Sequence, residues 1–285
     1  MKNIKITTIT EEIRKLLIKA SFDLPDDIIE AVKNAVKKEK SHRAGEILKL
    51  ILENAKIARE QKLPLCQDCG LVYIDISIGR DICIEESGSL NDLINQMVAE
   101  TYNRNYLRKS VVSDPLYERK NTSGNIPAII HTDFTKDTFL NLKVCLKGGG
   151  SENCSYLYML NPSTGEDEII KLILSQIKKS VTGCCPPVII GIGIGGSSSE
   201  VTRLARIAGF RNLKYRNPDR RYGKLEEKIL NAVNETGIGP QGLGGRTTAL
   251  ACNIEYAPCH MASLPLAVFF GCHSTRRADS KISPP

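Results

Sequence analysis

The sequence predicts an α+β fold: a helical N-terminal layer over residues 1–62, a mixed α/β region over 63–277 and a short tail over 278–285. Three observations predict it. Apolar residues in the first sixty positions recur at roughly the 3.6-residue period of an amphipathic helix. After Lys62, short apolar runs bounded by Gly- and Asn-rich segments take over, as strands do. Helical stretches at 89–104 and 166–179 lie between those runs.

Taken in order, Thr8 and Glu11 read as a capping-box pair ahead of Ile13, Leu16 and Leu17. Pro25 opens a second helix through Ile28, Ile29, Val32 and Val36, and Ser41 a third through Ile47, Leu48, Ile51, Leu52 and Ala55. Strands are expected at 71–76, 126–130, 140–146 and 188–194. No repeat or linker interrupts 63–276, so the helical layer and the α/β region read as one domain. The polar residues after Arg277, ending in Pro-Pro, read as the tail.

Composition narrows the function classes. With 285 residues, 41% of them hydrophobic, the chain can bury a sizeable core. No apolar run approaches the roughly 20 residues that cross a bilayer, and no signal-peptide pattern opens the sequence. The expected setting is therefore the reducing cytoplasm, where the ten cysteines serve packing, redox work or metal. The net charge of +7 suits an anionic substrate or partner without calling for nucleic acid. Part of it gathers between Arg203 and Lys224, a stretch without the aromatic pattern of an RNA-binding module.

The unusual residues fall in five loops. Leu65-Cys66-Gln67-Asp68-Cys69-Gly70 places thiols, a carboxamide and a carboxylate together; its CxxC is open to a redox pair or half a zinc site. Arg108 and the stretch Arg119 to Asn125 offer cations and amides suited to a carboxylate. Lys147-Gly148-Gly149-Gly150-Ser151-Glu152 is either an anion nest or a tight turn. Gly183-Cys184-Cys185-Pro186-Pro187 precedes a strand whose Gly191–Gly196 segment matches G-x-G-x-x-G. A turn for close helix–strand packing explains that match better than a dinucleotide site, because a strongly basic stretch follows it and no regular βαβ unit does. The fifth loop runs from Gly242 through Cys259-His260 to Cys272-His273.

The five loops in this order resemble the class I, iron–sulfur-dependent fumarases and L-tartrate dehydratases, in the α subunit of their two-subunit form. The resemblance carries Cys66-Gln67-Asp68, Asn121 to Asn125, Lys147 to Glu152, Cys185-Pro186-Pro187 with its glycine turn, and His260 with Cys272, and it spans essentially the whole chain. It implies a [4Fe–4S] cluster held by Cys66, Cys185 and Cys272, with one iron open to substrate. It places Asp68 and His260 in catalysis, and Gln67, Arg108 and the Gly149 backbone on a small dicarboxylate. The implied reaction is reversible hydration of fumarate to L-malate, with L-tartrate dehydration as the alternative. A non-catalytic iron–sulfur protein and a nicotinamide-dependent enzyme are the remote readings. The resemblance also implies a β subunit that completes the site, in an α2β2 assembly. One departure stands out: the family usually has threonine where this chain has Cys69, read as a bystander thiol beside the cluster. Cys184 and Cys259 are neighbours of the site, while Cys83, Cys145, Cys154 and Cys252 are expected to be core thiols.

Overall fold

A computed structural model describes residues 2–85 and 88–283 and has an α+β fold. The chain forms two compact units, each drawing on both the N-terminal helices and the later α/β segments. The first comprises Met1–Pro25, Ile57–Gly149 and Arg276–Pro285; the second comprises Asp26–Lys56 and Gly150–Thr275.

In the first unit, β1 (Lys2–Lys5) pairs in parallel with β3 (Ile82–Glu85) and leads directly into α1 (Ile6–Phe22). This contiguity is why Thr8 and Glu11 make no capping box. The helix has already started at Ile6, after an uncapped Lys5, and Glu11 pairs with Arg14 instead. Strands β2 (Leu71–Gly79), β4 (Ile129–Thr135), β5 (Leu140–Lys147) and β10 (Arg276–Ile282) form a sheet in the order β10-β5-β2-β4. The pairs β10–β5 and β5–β2 are antiparallel, while β2–β4 is parallel. The period-two alternation of β2 sends Val72, Ile74 and Ile76 to one face, where Ile9, Ile13 and Leu17 of α1 meet them. Helix α4 (Leu90–Arg104), capped by Ser89, adds Ile94, Val98 and Tyr102 to that core. Residues 278–282, expected as tail, belong to β10: Ala278 faces the core opposite Val144, so backbone pairing and burial outweigh local polarity. Pro284 and Pro285 lie outside the described residues.

In the second unit, α2 (Asp26–Lys38) follows Pro25 as expected, and α3 (His42–Gln61), which contributes its residues up to Lys56, follows Ser41. Strands β6 (Tyr156–Leu160), β7 (Val188–Gly195), β8 (Ala249–Ala257) and β9 (Leu264–Gly271) lie in the order β6-β9-β7-β8. A short α5 (Gly149–Glu152) precedes β6. Helices α6 (Glu166–Ser180) and α8 (Arg220–Asn234) cover one face, packing Ile173, Ile177, Ile229 and Val233 on Ile190 and Ile192. Helix α7 (Ser198–Gly209) packs on β7, β8 and β9. Gly191 and Gly193 allow its close approach: a Cβ on either would collide with the backbone of Ala205 or Val201. The glycine motif therefore does the packing work read from it. Much of the basic stretch is neutralised locally: Arg211 bonds Glu226 and Glu255, Arg221 bonds Asp219, and Lys214 bonds Glu30. Among the described residues no helix is long and apolar enough to cross a membrane.

Candidate active site

The Cys66–Gly70 loop enters β2 at its N-terminal end. Asp68, half-buried, accepts the Gly70 N–H on Oδ1 at 3.0 Å and the Gly149 N–H on Oδ2 at 2.6 Å. Gly148 lines the same carboxylate so closely that a Cβ there would stand 3.0 Å from Oδ2. The glycine run following Lys147 is thus a nest whose anion, in this structure, is the protein's own Asp68. The Gly149 amide, expected on substrate, is engaged by the expected acid/base residue.

The loop is held from below and from the side. Tyr102, fully buried, donates its hydroxyl to the carbonyls of Cys69 and Gly70 at 3.1 and 3.2 Å. Asn125, also fully buried, donates to the Gly70 carbonyl at 3.0 Å and accepts the Ser110 N–H at 2.8 Å. Cys69 is buried, and its Sγ accepts the Arg108 N–H at 3.2 Å while facing the Cys66 carbonyl at 3.9 Å. Burial pushes the Cys69 thiol up, against the Arg108 N–H and the charge of Arg276. Cys69 is thus hydrogen-bonded to the backbone of Arg108, whose side chain is exposed, as is that of Gln67; Cys66 is half-buried. Sequence reasoning missed Tyr102, because an aromatic on a helix face signals core before it signals a hydroxyl.

In the second unit, Cys184 and Cys185 part company. The 3-10 turn Val181–Cys184 turns the Cys184 side chain inward against Cys154, with which it forms a disulfide. Cys185 is exposed and sits in the left-handed region at φ 51°, a conformation that costs a non-glycine residue about 1 kcal/mol or more. The His273 N–H donates to the Cys185 carbonyl at 3.3 Å, so Cys272, half-buried, is backbone neighbour to Cys185. Gln241 holds the next residue, donating N–H and Nε2–H to the Pro186 carbonyl at 2.8 and 2.9 Å. His260 is exposed, and its Nδ1 accepts the Ala262 N–H at 3.1 Å. That bond needs the Nδ1 lone pair, which leaves the proton of a neutral ring on Nε2, pointing a donor away from the turn. Cys83 proves exposed rather than core and Cys154, though buried, is paired with Cys184 rather than a core thiol, whereas Cys145 and Cys252 are buried thiols as expected. Among the described residues no group of three or more His, Cys, Asp or Glu side chains is arranged to hold a metal ion. Cys66 belongs to the first unit, and Cys185 and Cys272 to the second.

The fumarate hydratase (Fumerase) family model matches residues 10–281. This chain belongs to that family. Its relatives carry a narrower name. A Methanocaldococcus jannaschii protein, provisionally named L(+)-tartrate dehydratase subunit alpha, is 38% identical over 277 residues, covering 96% of this chain and 97% of its own length. The L(+)-tartrate dehydratase subunit alpha of Escherichia coli K12 is 28% identical over 274 residues, covering 95% and 90%. Membership of that family supports a lyase.

Proposed function

We propose that this chain is the α subunit of a [4Fe–4S]-dependent hydro-lyase that adds water reversibly across the double bond of a four-carbon dicarboxylate, fumarate and L-malate being the first substrate pair. The observation that carries the reading is the Asp68 carboxylate, fixed by two backbone amides on a loop that also presents Cys66. The donor chemistry supports the cluster: Cys66, Cys185 and Cys272 are thiols on accessible loops, the ligand type iron–sulfur clusters take. A buried Arg276 Nε without an acceptor supports an anionic group in the first unit.

When bound, such a cluster supplies a Lewis acid for the substrate hydroxyl. The chain's own residues supply orientation and proton handling. Arg108 and Gln67 present side-chain donors to a substrate carboxylate. Asp68, its direction set by the Gly70 and Gly149 amides, takes the proton from the carbon beside that carboxylate and returns it in hydration. Gly149 acts in this scheme through its bond to Asp68. His260 offers Nε2–H to the substrate as a donor.

The names of the relatives favour a second reading, L(+)-tartrate dehydration, which uses the same groups on a substrate with one more hydroxyl. Those names also support a β subunit as partner. We extend this to an α2β2 assembly whose site the partner completes. An oxygen-labile cluster fits the reducing cytoplasm. The test is anaerobic purification with the β chain, iron and sulfide analysis, and turnover of fumarate, L-malate and L-tartrate. Preference for fumarate and malate supports the first reading and preference for tartrate the second. A cluster-loaded pair inert on all three substrates sinks both.

A further inference from the structure

Arg276 opens β10 and is among the largest enclosed side chains of the chain, with 1% of its surface exposed. Its register partner on β5 is Leu146, which in turn stands opposite Val72 on β2. Residues directly opposed in antiparallel strands share a face, so Arg276 lies on the core face with Ala278, Leu146 and Val72. Val72 comes two residues after Gly70, so this is the end of the sheet where the Cys66–Gly70 loop enters. Its surroundings agree: burial pushes up both the Cys69 thiol and the Tyr102 hydroxyl, and the Arg276 charge opposes that rise at each.

A guanidinium here is expensive. It cannot deprotonate, it offers five N–H donors, and burying it without an anion leaves its solvation unreplaced. Yet its Nε has no hydrogen-bond partner, and no ion pair engages it among the described residues. The chain therefore keeps a buried positive charge under the loop of Cys66 and Asp68, near the Asp68 charge but with no acid in ion-pair contact among the described residues.

We propose that Arg276 is the site's counter-cation, its charge matched by the thiolate and sulfide charge of an iron–sulfur cluster ligated through Cys66. The inference rests on the cluster reading above and deepens it. A substrate carboxylate is the other anion of the same site, but with 1% of its surface exposed Arg276 offers a diffusing ligand little to contact. A charge, by contrast, acts across a few ångströms of low-dielectric interior without contact. Arg276 is on this account a positioning residue for charge rather than a catalytic one.

The test compares Arg276→Lys, Arg276→Gln and Arg276→Met with the wild type in the full chain paired with its β subunit, reconstituted anaerobically with iron and sulfide. Four quantities are measured: melting temperature of the metal-free protein, rate of iron loss to a chelator, midpoint potential, and KM for the dicarboxylate. Removing an unmatched buried charge leaves the metal-free Arg276→Met chain at least as stable as wild type. The same variant, and Arg276→Gln, lose iron roughly tenfold or more faster, the usual effect of removing a residue that supports metal ligands. Their potentials move negative, because the added electron is no longer offset by a nearby positive charge, and Arg276→Lys stays close to wild type. Variants that hold iron at the wild-type rate and potential overturn the proposal. So does a rise in KM for the dicarboxylate with both quantities unchanged, which assigns Arg276 to substrate. Equal loss of metal-free stability in all three variants assigns it to packing and also overturns the proposal. A wild-type chain that takes up no iron overturns the cluster reading itself, an outcome distinct from the other three.

Discussion

The Asp68 carboxylate and the Gly149 amide meet at 2.6 Å across 81 positions of sequence. The contact couples two loops that the motifs had placed in one site with separate tasks. It gives the glycine run a physical purpose: Gly148 carries no Cβ because one would stand 3.0 Å from Asp68 Oδ2, and the next amide is turned onto that oxygen. The carboxylate is thereby aimed by the backbone of β5's end rather than by another side chain.

Asp68→Asn keeps the shape of the side chain but turns one of its two accepting oxygens into an NH2 donor, so one of the two amide bonds is lost while the fold and the iron content should stay at wild-type levels. Turnover should fall by about 10²–10⁴, the usual contribution of a positioned acid/base group. Gly148→Ala should lower turnover by a smaller factor, because its Cβ displaces the carboxylate. Gly149→Ala, whose Cβ would lie 3.6 Å from Oδ2, should be nearly silent. Turnover of the purified pair with its β subunit checks all three; an active Asp68→Asn enzyme removes Asp68 from the chemistry.

Serine at Cys66, Cys185 or Cys272 should abolish iron uptake, and serine at exposed Cys83 should leave it intact. The pair at 184 and 185 is the sharper comparison. Cys184 is enclosed and turned toward Cys154, whereas Cys185 projects outward, so Cys185→Ser should lose the iron that Cys184→Ser retains. Iron and sulfide analysis after anaerobic reconstitution decides it, and the reverse outcome exchanges the assignments.

Gly193→Ala should destabilise the chain by about 1–3 kcal/mol or more, as overpacking does, since its Cβ would meet the α7 backbone at Val201 and at the Ala205 N, 2.8 Å away. Gly45→Ala, in α3 with open space around it, should instead stabilise by roughly 0.5–1 kcal/mol. Urea denaturation of the two variants measures the contrast; equal midpoints would remove the packing role from the glycine motif.

Glu39 provides a pH signature. Burial pushes its carboxyl up, but the N–H groups of Ser41, Arg246 and Lys40 outweigh this and hold it below the usual carboxylate range. A group whose pKa is lower folded than unfolded adds stability above its unfolded value, and that contribution is lost as pH falls through the folded one. Glu39→Gln should therefore melt below wild type at neutral pH, with the gap closing in the acid range below about 4.3. A gap that persists in acid would show that the Glu39 charge contributes nothing.

Much of the fold was legible because its signals are local. Helices at 90–104 and 166–180 and strands at 71–79, 140–147 and 188–195 follow from periodicities that a few consecutive residues establish. The strand at 129–135 begins later than the apolar run 126–130 suggested. The start of α1 was misread because β1 delivers the chain into the helix before the capping pair is reached. The candidate site was legible as a set of loops in family order, since glycine, cysteine and asparagine at turns announce themselves by type.

The sequence by itself determined the α+β class and the family, and it named the residues proposed to carry the chemistry. Tertiary structure alone decided that Gly149 serves Asp68, that Tyr102 and Asn125 hold up the Cys66–Gly70 loop, and that a polar C-terminal segment is the β10 strand. It also decided that Arg276 is buried. The physical reason is the same in each case. Hydrogen-bond partners and burial depend on residues tens to hundreds of positions away, and a polar side chain reads as exposed until the sheet that encloses it has formed.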